Sequence, residues 1–437
     1  MIGSPGTRAF LPASALPLAY FAGAHAALAC AFGVLAINPD VPGGFFYHPR
    51  VVALVHLVTV GWLSGSILGA FYIVAPLALR LAMPVGRTDW AAYAAFQAGT
   101  IGMAAHFWLG SYAGMAWAAG LVWFAIAWVG LRAARGLPGA VVPWPIKLHV
   151  ALAFANILAA AALGALIGLD RTRGFLGWPP FAAAIAHAHL AAVGWPAMMV
   201  VGLSYRLIPM MLPAAMPAGA SLAWSAVLIE AGLAVLVFTL ISGAGPTSAG
   251  VLLIAAGLGS FVLQVRRTLA RRMPRPPALP RRDWSMWQTR AALLWLAAAT
   301  LLGLALTAGP SSWAGPLAWW YGIAGLIGFL SQIVVGMQGR LVPMYAWYRA
   351  FAARGGRPPA LSAHELPSPG FARIIFAAWT AGVPLLGAGL AGDRRPLVAV
   401  ASALMLMGVV TGALYLAHMM RAAGRDALAD SPTSRPQ

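Results

Sequence analysis

The chain has 437 residues, of which 61% are hydrophobic and 8% charged, and its mean hydropathy is +0.81. So little polar surface cannot cover a water-soluble globule, and the composition predicts an all-α polytopic membrane protein. The net charge of +19 speaks for topology and not for nucleic acid, because the arginines collect in alternate loops.

A bilayer core needs about 20 apolar residues per helix, and twelve such segments run along the chain. They lie at roughly 14–37, 50–79, 89–110, 112–133, 146–169, 181–212, 219–243, 247–267, 286–308, 316–347, 371–391 and 396–421. The first reads as a span and not as a signal peptide, since it is long, lacks a strongly basic start and is followed by no A-x-A site. Basic residues sit at Arg80 and Arg87, at Arg132, Arg135 and Lys147, in the run Arg266, Arg267, Arg271, Arg272, Arg275, Arg281 and Arg282, at Arg349, Arg354 and Arg357, and from Arg421 onward. Arg50, Arg171, Arg173, Arg394 and Arg395 are the exceptions on the other side. The positive-inside rule then puts both termini in the cytoplasm, of a bacterial inner membrane. The one cysteine, Cys30, excludes disulfides, thiolate metal clusters and covalent c-type haem attachment.

The second segment, "VVALVHLVTVGWLSGSILGAFYIVAPL", repeats in the sixth, "IAHAHLAAVGWPAMMVVGLSYRLIPMM". Counting back from Pro76 and Pro209 pairs Tyr72 with Tyr205, Gly69 with Gly202, Trp62 with Trp195, Gly61 with Gly194 and His56 with His189. The tenth segment, "GLIGFLSQIVVGMQGRLVPM", continues the frame with Gly328, Gly336 and Pro343, and its "GRLVPM" echoes "YRLIPM". A weaker echo precedes each copy, where Gly33, Gly164 and Gly303 follow His25, Asn156 and Trp295 by eight residues. The spacing predicts three pseudo-symmetric four-helix repeats, roughly 14–135, 146–268 and 286–421, within a single twelve-helix domain.

In this topology His56, His187 and His189 lie about two turns inside the outer ends of their segments, with His106 near the outer end of the third and His25 nearer mid-membrane. Ionisable groups at such depth face the bundle interior and carry function, although an imidazole can also serve as a hydrogen bonder between helices. Histidines without carboxylates or thiols suit borderline transition metals or haem iron, not calcium or magnesium. His187 and His189 stand about 200° apart around a helix and so address different neighbours. His189 is expected to face a groove related to that of His56. Glu230, in "SAVLIEAGL", is the sole acidic residue well inside a span, as a proton relay or a helix-pairing group. Trp62, Trp195, Trp319, Trp320 and Trp347 flank a macrocycle or form interfacial belts. Arg206 and Arg340 read as snorkelling residues.

Twelve helices in three four-helix units, with histidines near the outer ends of the second and sixth, resemble subunit I of the heme-copper oxidase superfamily. "HLVTVGWLSGSILGAFYIVAP" resembles the second helix of the C-type oxidases, and "HAHL…GW…G…Y…P" with the exit "VPMYAWYRAF" is similar to a divergent subunit-I-like group. The NnrS-like nitric-oxide stress proteins are a more distant likeness. The resemblance implies a non-covalent b-type haem ligated by His56, with His25, His189 or His106 supplying a second ligand, and copper at His187 or His189. It implies respiratory electron transfer or nitric oxide and oxygen chemistry, with a quinol or cytochrome donor and an additional membrane subunit as partners. Two oxidase signatures are missing: residues 219–243 lack the His-His pair of the seventh helix, and 316–347 lack the His-x-His of the tenth. Whether the chain is an enzyme therefore stays open, and the alternative is a membrane transporter of a metal ion or small solute.

Overall fold

The computed structural model describes residues 12, 14–43, 45–274, 283–309 and 312–429. Arg275, Arg281 and Arg282 of the basic loop and the tail beyond 429 lie outside the described residues.

In hydrocarbon every backbone N–H and C=O needs an internal partner, which a helix provides within a single segment. The described chain accordingly folds into twelve long helices. They are α1 (Leu16–Ile37), α2 (Pro49–Ala78), α3 (Arg87–Trp108), α4 (Tyr112–Gly139), α5 (Trp144–Arg173), α6 (Phe181–Met211), α7 (Ala220–Ser242), α8 (Thr247–Ala270), α9 (Trp284–Leu306), α10 (Ala314–Ala353), α11 (Pro369–Ala391) and α12 (Arg395–Ala429). All but α3 are long and apolar enough to cross a membrane by length and composition. α3 has the same 22 residues as α1 but begins with Arg87 and Asp89, which lower its hydropathy. The chain is a multi-pass helical membrane protein.

Among the described residues there is no β-strand, only an isolated bridge between Ala214 and Arg272. Local chemistry sets the helix ends: the Asp283 carboxylate caps α9 by accepting from the Met286 N–H at 3.3 Å. Gly243 ends α7 at φ 68°, a left-handed cap that a Cβ would strain.

α2, α6 and α10 pack against one another while the other nine helices surround them. The surround closes where α12 packs along α1. Apolar residues on the perimeter stay uncovered, Leu294 and Leu301 of α9 being 74% and 67% exposed, as a lipid-facing surface requires.

The three inner helices share an irregularity. Each widens to a π-helical segment, Leu57–Ser64 in α2, Val193–Ala197 in α6 and Ile323–Ser331 in α10. A π turn leaves carbonyls without their usual donors, and side chains fill in. Ser64 donates to the Thr59 carbonyl at 2.9 Å and Ser331 to the Leu326 carbonyl at 2.7 Å, both five residues back. In α6 the irregularity coincides with Pro196, which has no N–H to give. At the same level, glycines admit the neighbouring outer helix. A Cβ on Gly61 would stand 2.5 Å from that of Ala27, one on Gly194 2.7 Å from that of Asn156, and one on Gly328 2.5 Å from the Trp295 ring.

Candidate functional site

Near the start of α2, His56 aims its Nδ1 at the Val52 carbonyl, 2.8 Å away. A ring nitrogen facing a carbonyl carries the hydrogen, so Nε2 presents its lone pair. Across the inner trio, His187 of α6 donates from Nδ1 to the Ala160 carbonyl of α5 at 2.9 Å, with Gly164 leaving room for the ring. The two imidazole rings stand 6.3 Å apart, centroid to centroid, with planes inclined by 13°. Neither Nε2 takes a hydrogen bond among the described residues. Phe107 of α3 packs on His56 at 4.6 Å.

Aromatic and cationic groups pair with one another around Phe107 and at the neighbouring helix ends. Arg50 lies over the Trp108 ring at 5.3 Å, and Arg171 over Tyr47 and Tyr112 at 4.9 and 5.4 Å. Tyr112 in turn contacts Phe107, at 6.1 Å. These contacts hold two guanidiniums against aromatic rings with no carboxylate among them, an arrangement suited to an anionic group.

His189 turns the other way. Its Nδ1 donates to the Ile185 carbonyl at 2.8 Å, and its Nε2 accepts from the Tyr321 hydroxyl of α10 at 3.0 Å. The angle between positions 187 and 189 therefore separates the two histidines, and they do not converge on one ion. His106 is engaged as well: its Nε2 accepts from the Trp117 indole at 3.0 Å. His25 lies apart from all of these, with Nδ1 on the Phe21 carbonyl at 2.9 Å and its ring edge-on to Trp62 at 5.1 Å. Of the sequence candidates, His56 is brought together with His187, and not with His25, His189 or His106.

Imidazole nitrogens free of carboxylate or thiolate neighbours are a donor type that iron and copper accept. Among the described residues no three His, Cys, Asp or Glu side chains gather as metal ligands. Two protein ligands leave a tetrahedral zinc site half built, whereas they complete the coordination of a haem iron.

Other polar groups inside the bundle tie helices to one another. Asn156 of α5 donates to Glu230 of α7 at 2.8 Å and to the Gly194 carbonyl in the π segment of α6 at 3.2 Å, so Asn156 ties three helices together. Arg206 donates to the Ala78 carbonyl at the end of α2 at 2.9 Å, and Arg340 pairs with Asp283, so neither merely snorkels. Two clusters are not visible from residue patterns alone. Asp89 accepts from the Gly86 N–H (2.7 Å), the Tyr72 hydroxyl (2.8 Å) and the Trp128 indole (3.2 Å), and pairs with Arg132. His149 and Tyr205 both meet Ser225, at 2.9 and 2.8 Å. Tyr321 could have been found: it follows His187 by the 134 residues that separate the second and third sequence copies.

No protein-family model matches the chain, and no curated protein is significantly similar to it.

Proposed function

We propose that the chain is a haem-binding membrane protein of heme-copper oxidase subunit I-like architecture, acting in respiratory electron transfer or in nitric oxide and oxygen chemistry. The observation that carries this reading is the His56 and His187 pair, two imidazoles 6.3 Å apart centroid to centroid, each with Nδ1 on a carbonyl and Nε2 unpartnered among the described residues. When bound, a bis-imidazole haem supplies one-electron transfer. This chain's residues would orient the two imidazoles through the Val52 and Ala160 carbonyls, exclude water with Phe107, and offer Arg50 and Arg171 to carboxylate substituents. Copper as a second metal has no comparable ligand set among the described residues.

The proposal includes three repeated four-helix units. His56 with His187 and His189 with Tyr321 are the same contact in that frame, since His56 and His189 are 133 residues apart and His187 and Tyr321 are 134 apart. The π segments of α2, α6 and α10 support it too. The orientation, both termini in the cytoplasm of a bacterial inner membrane, rests on the arginine distribution.

A reduced-minus-oxidised optical spectrum of protein purified from haem-replete cells, with metal analysis of the same sample, tests the reading. A Soret band that survives His189→Phe and disappears in His56→Ala and His187→Ala is expected. A colourless preparation without iron or copper refutes it.

A further inference from the structure

Away from the paired histidines, a cavity of about 40 Å³ lies between α1, α2, α9, α10, α11 and α12. His25, Trp62, Gln288, Gln338 and Trp379 line it, each more than nine-tenths buried. The indole N–H of Trp62, the indole N–H of Trp379 and both polar atoms of the Gln288 amide have no hydrogen-bond partner. Gln338 is engaged with Ser66 at 3.2 Å. His25 gives its Nδ1 hydrogen to Phe21 and so turns an acceptor, Nε2, toward Gly412 of α12, where an added Cβ would come within 3.4 Å.

Orphaned donors and acceptors are costly at any buried site and more so inside a bilayer. Three donors, two acceptors and room for about three waters at ~10–15 Å³ each describe a hydrated site. No carboxylate or cationic side chain lines the cavity, which disfavours a bound ion. A second void adjoins it. This larger void of about 390 Å³ shares Trp284, Ser285, Gly339, Ala372 and Tyr415 with it, and continues past the Arg340 and Asp283 pair to the exposed loop residue His364.

We propose that the two voids form one water-filled half-channel, open at the Arg340 and Asp283 end and closed at His25. Its ligand is water with its exchangeable proton, and it carries that proton to the middle of the membrane. The charged and titratable groups along it are His364, Asp283 and Arg340 at the mouth, Tyr415 below them and His25 at the closed end. This inference does not depend on haem binding, because none of these residues contacts His56 or His187.

Two measurements test it. In a Cys30→Ser background, a single cysteine replaces Ser285, which lines both voids, with Leu294→Cys as a lipid-facing reference. A charged, membrane-impermeant methanethiosulfonate is added to either side of sealed vesicles. Only the thiolate reacts, and a dry apolar site suppresses it, so Ser285→Cys should react about 100-fold faster than Leu294→Cys. It should do so only from the side that carries Asp283. Reaction at Ser285→Cys no faster than at Leu294→Cys, or reaction from the opposite side, overturns the proposal. The unaltered chain gives the second measurement, exchange of ¹⁵N-labelled indole protons in D₂O. Trp62 and Trp379 should exchange well before Trp195, whose indole donates to Ser64 at 3.1 Å in a packed site. Equal protection of all three indoles overturns the proposal whether or not the cysteine variants fold. A colourless protein with fast indole exchange would sink the haem reading and leave the channel standing.

Discussion

Adding one methyl group at Gly194 is expected to destabilise the bundle far more than adding one at Gly120. A Cβ on Gly194 would lie 2.7 Å from the Asn156 Cβ and 2.9 Å from its Cγ, nearer than packed carbons approach, so α5 and α6 must part. Overpacking of that kind costs about 1–3 kcal/mol. Moving Asn156 also loosens its hydrogen bonds to Glu230 and the Gly194 carbonyl, whose loss in a buried setting costs about 1–3 kcal/mol. Alanine recovers about 0.5–1 kcal/mol of helix propensity, leaving a net loss of about 1–5 kcal/mol. Gly120 on α4 has nothing within 4 Å of its added Cβ, so the Gly120→Ala variant keeps the propensity gain alone. Reversible unfolding by SDS in mixed micelles, followed by tryptophan fluorescence, compares the two. A Gly194→Ala variant within about 0.5 kcal/mol of Gly120→Ala would refute the packing of α5 against the π segment.

Other substitutions probe the remaining contacts. Glu230→Leu is expected to lose about 1–3 kcal/mol of unfolding free energy because Asn156 loses its 2.8 Å acceptor, while Glu230→Gln, which still offers an oxygen, should lose less. A double-mutant cycle with His189→Phe and Tyr321→Phe should return a coupling of about 0.6–1.7 kcal/mol for their 3.0 Å hydrogen bond, and a coupling of zero would show that α6 and α10 do not meet there. Asp89→Ala leaves Arg132 without its carboxylate and three donors without an acceptor. It should cost about 3–5 kcal/mol by the same unfolding assay.

The sequence alone determined the number and bounds of the helices, because about 20 apolar residues interrupted by arginine and proline leave a bilayer little choice. The twelve segments read from hydropathy appear within a few residues of their expected ends, except that α4 runs on to Gly139, α10 to Ala353 and α12 to Ala429. Gly61, Gly194 and Gly328 were legible too, since a close helix approach needs a missing side chain and the need recurs at a fixed interval. The divergence of His187 from His189 follows from the angle per residue of a helix.

The tertiary structure decided which groups meet. Nothing in the spacing of histidines tells that His187 faces His56, because that contact depends on how α2 and α6 cross and on the carbonyl of Ala160 from a third helix. The π segments were hidden for a related reason: they are set by packing at the centre of the bundle, and their residues, such as Leu57–Ser64, do not differ in kind from ordinary apolar helix. The orphaned polar atoms of Trp62, Gln288 and Trp379 come from helices far apart in the chain. They become a shared polar site only when α12 closes on α1, a contact between the two ends of the sequence that no local pattern encodes.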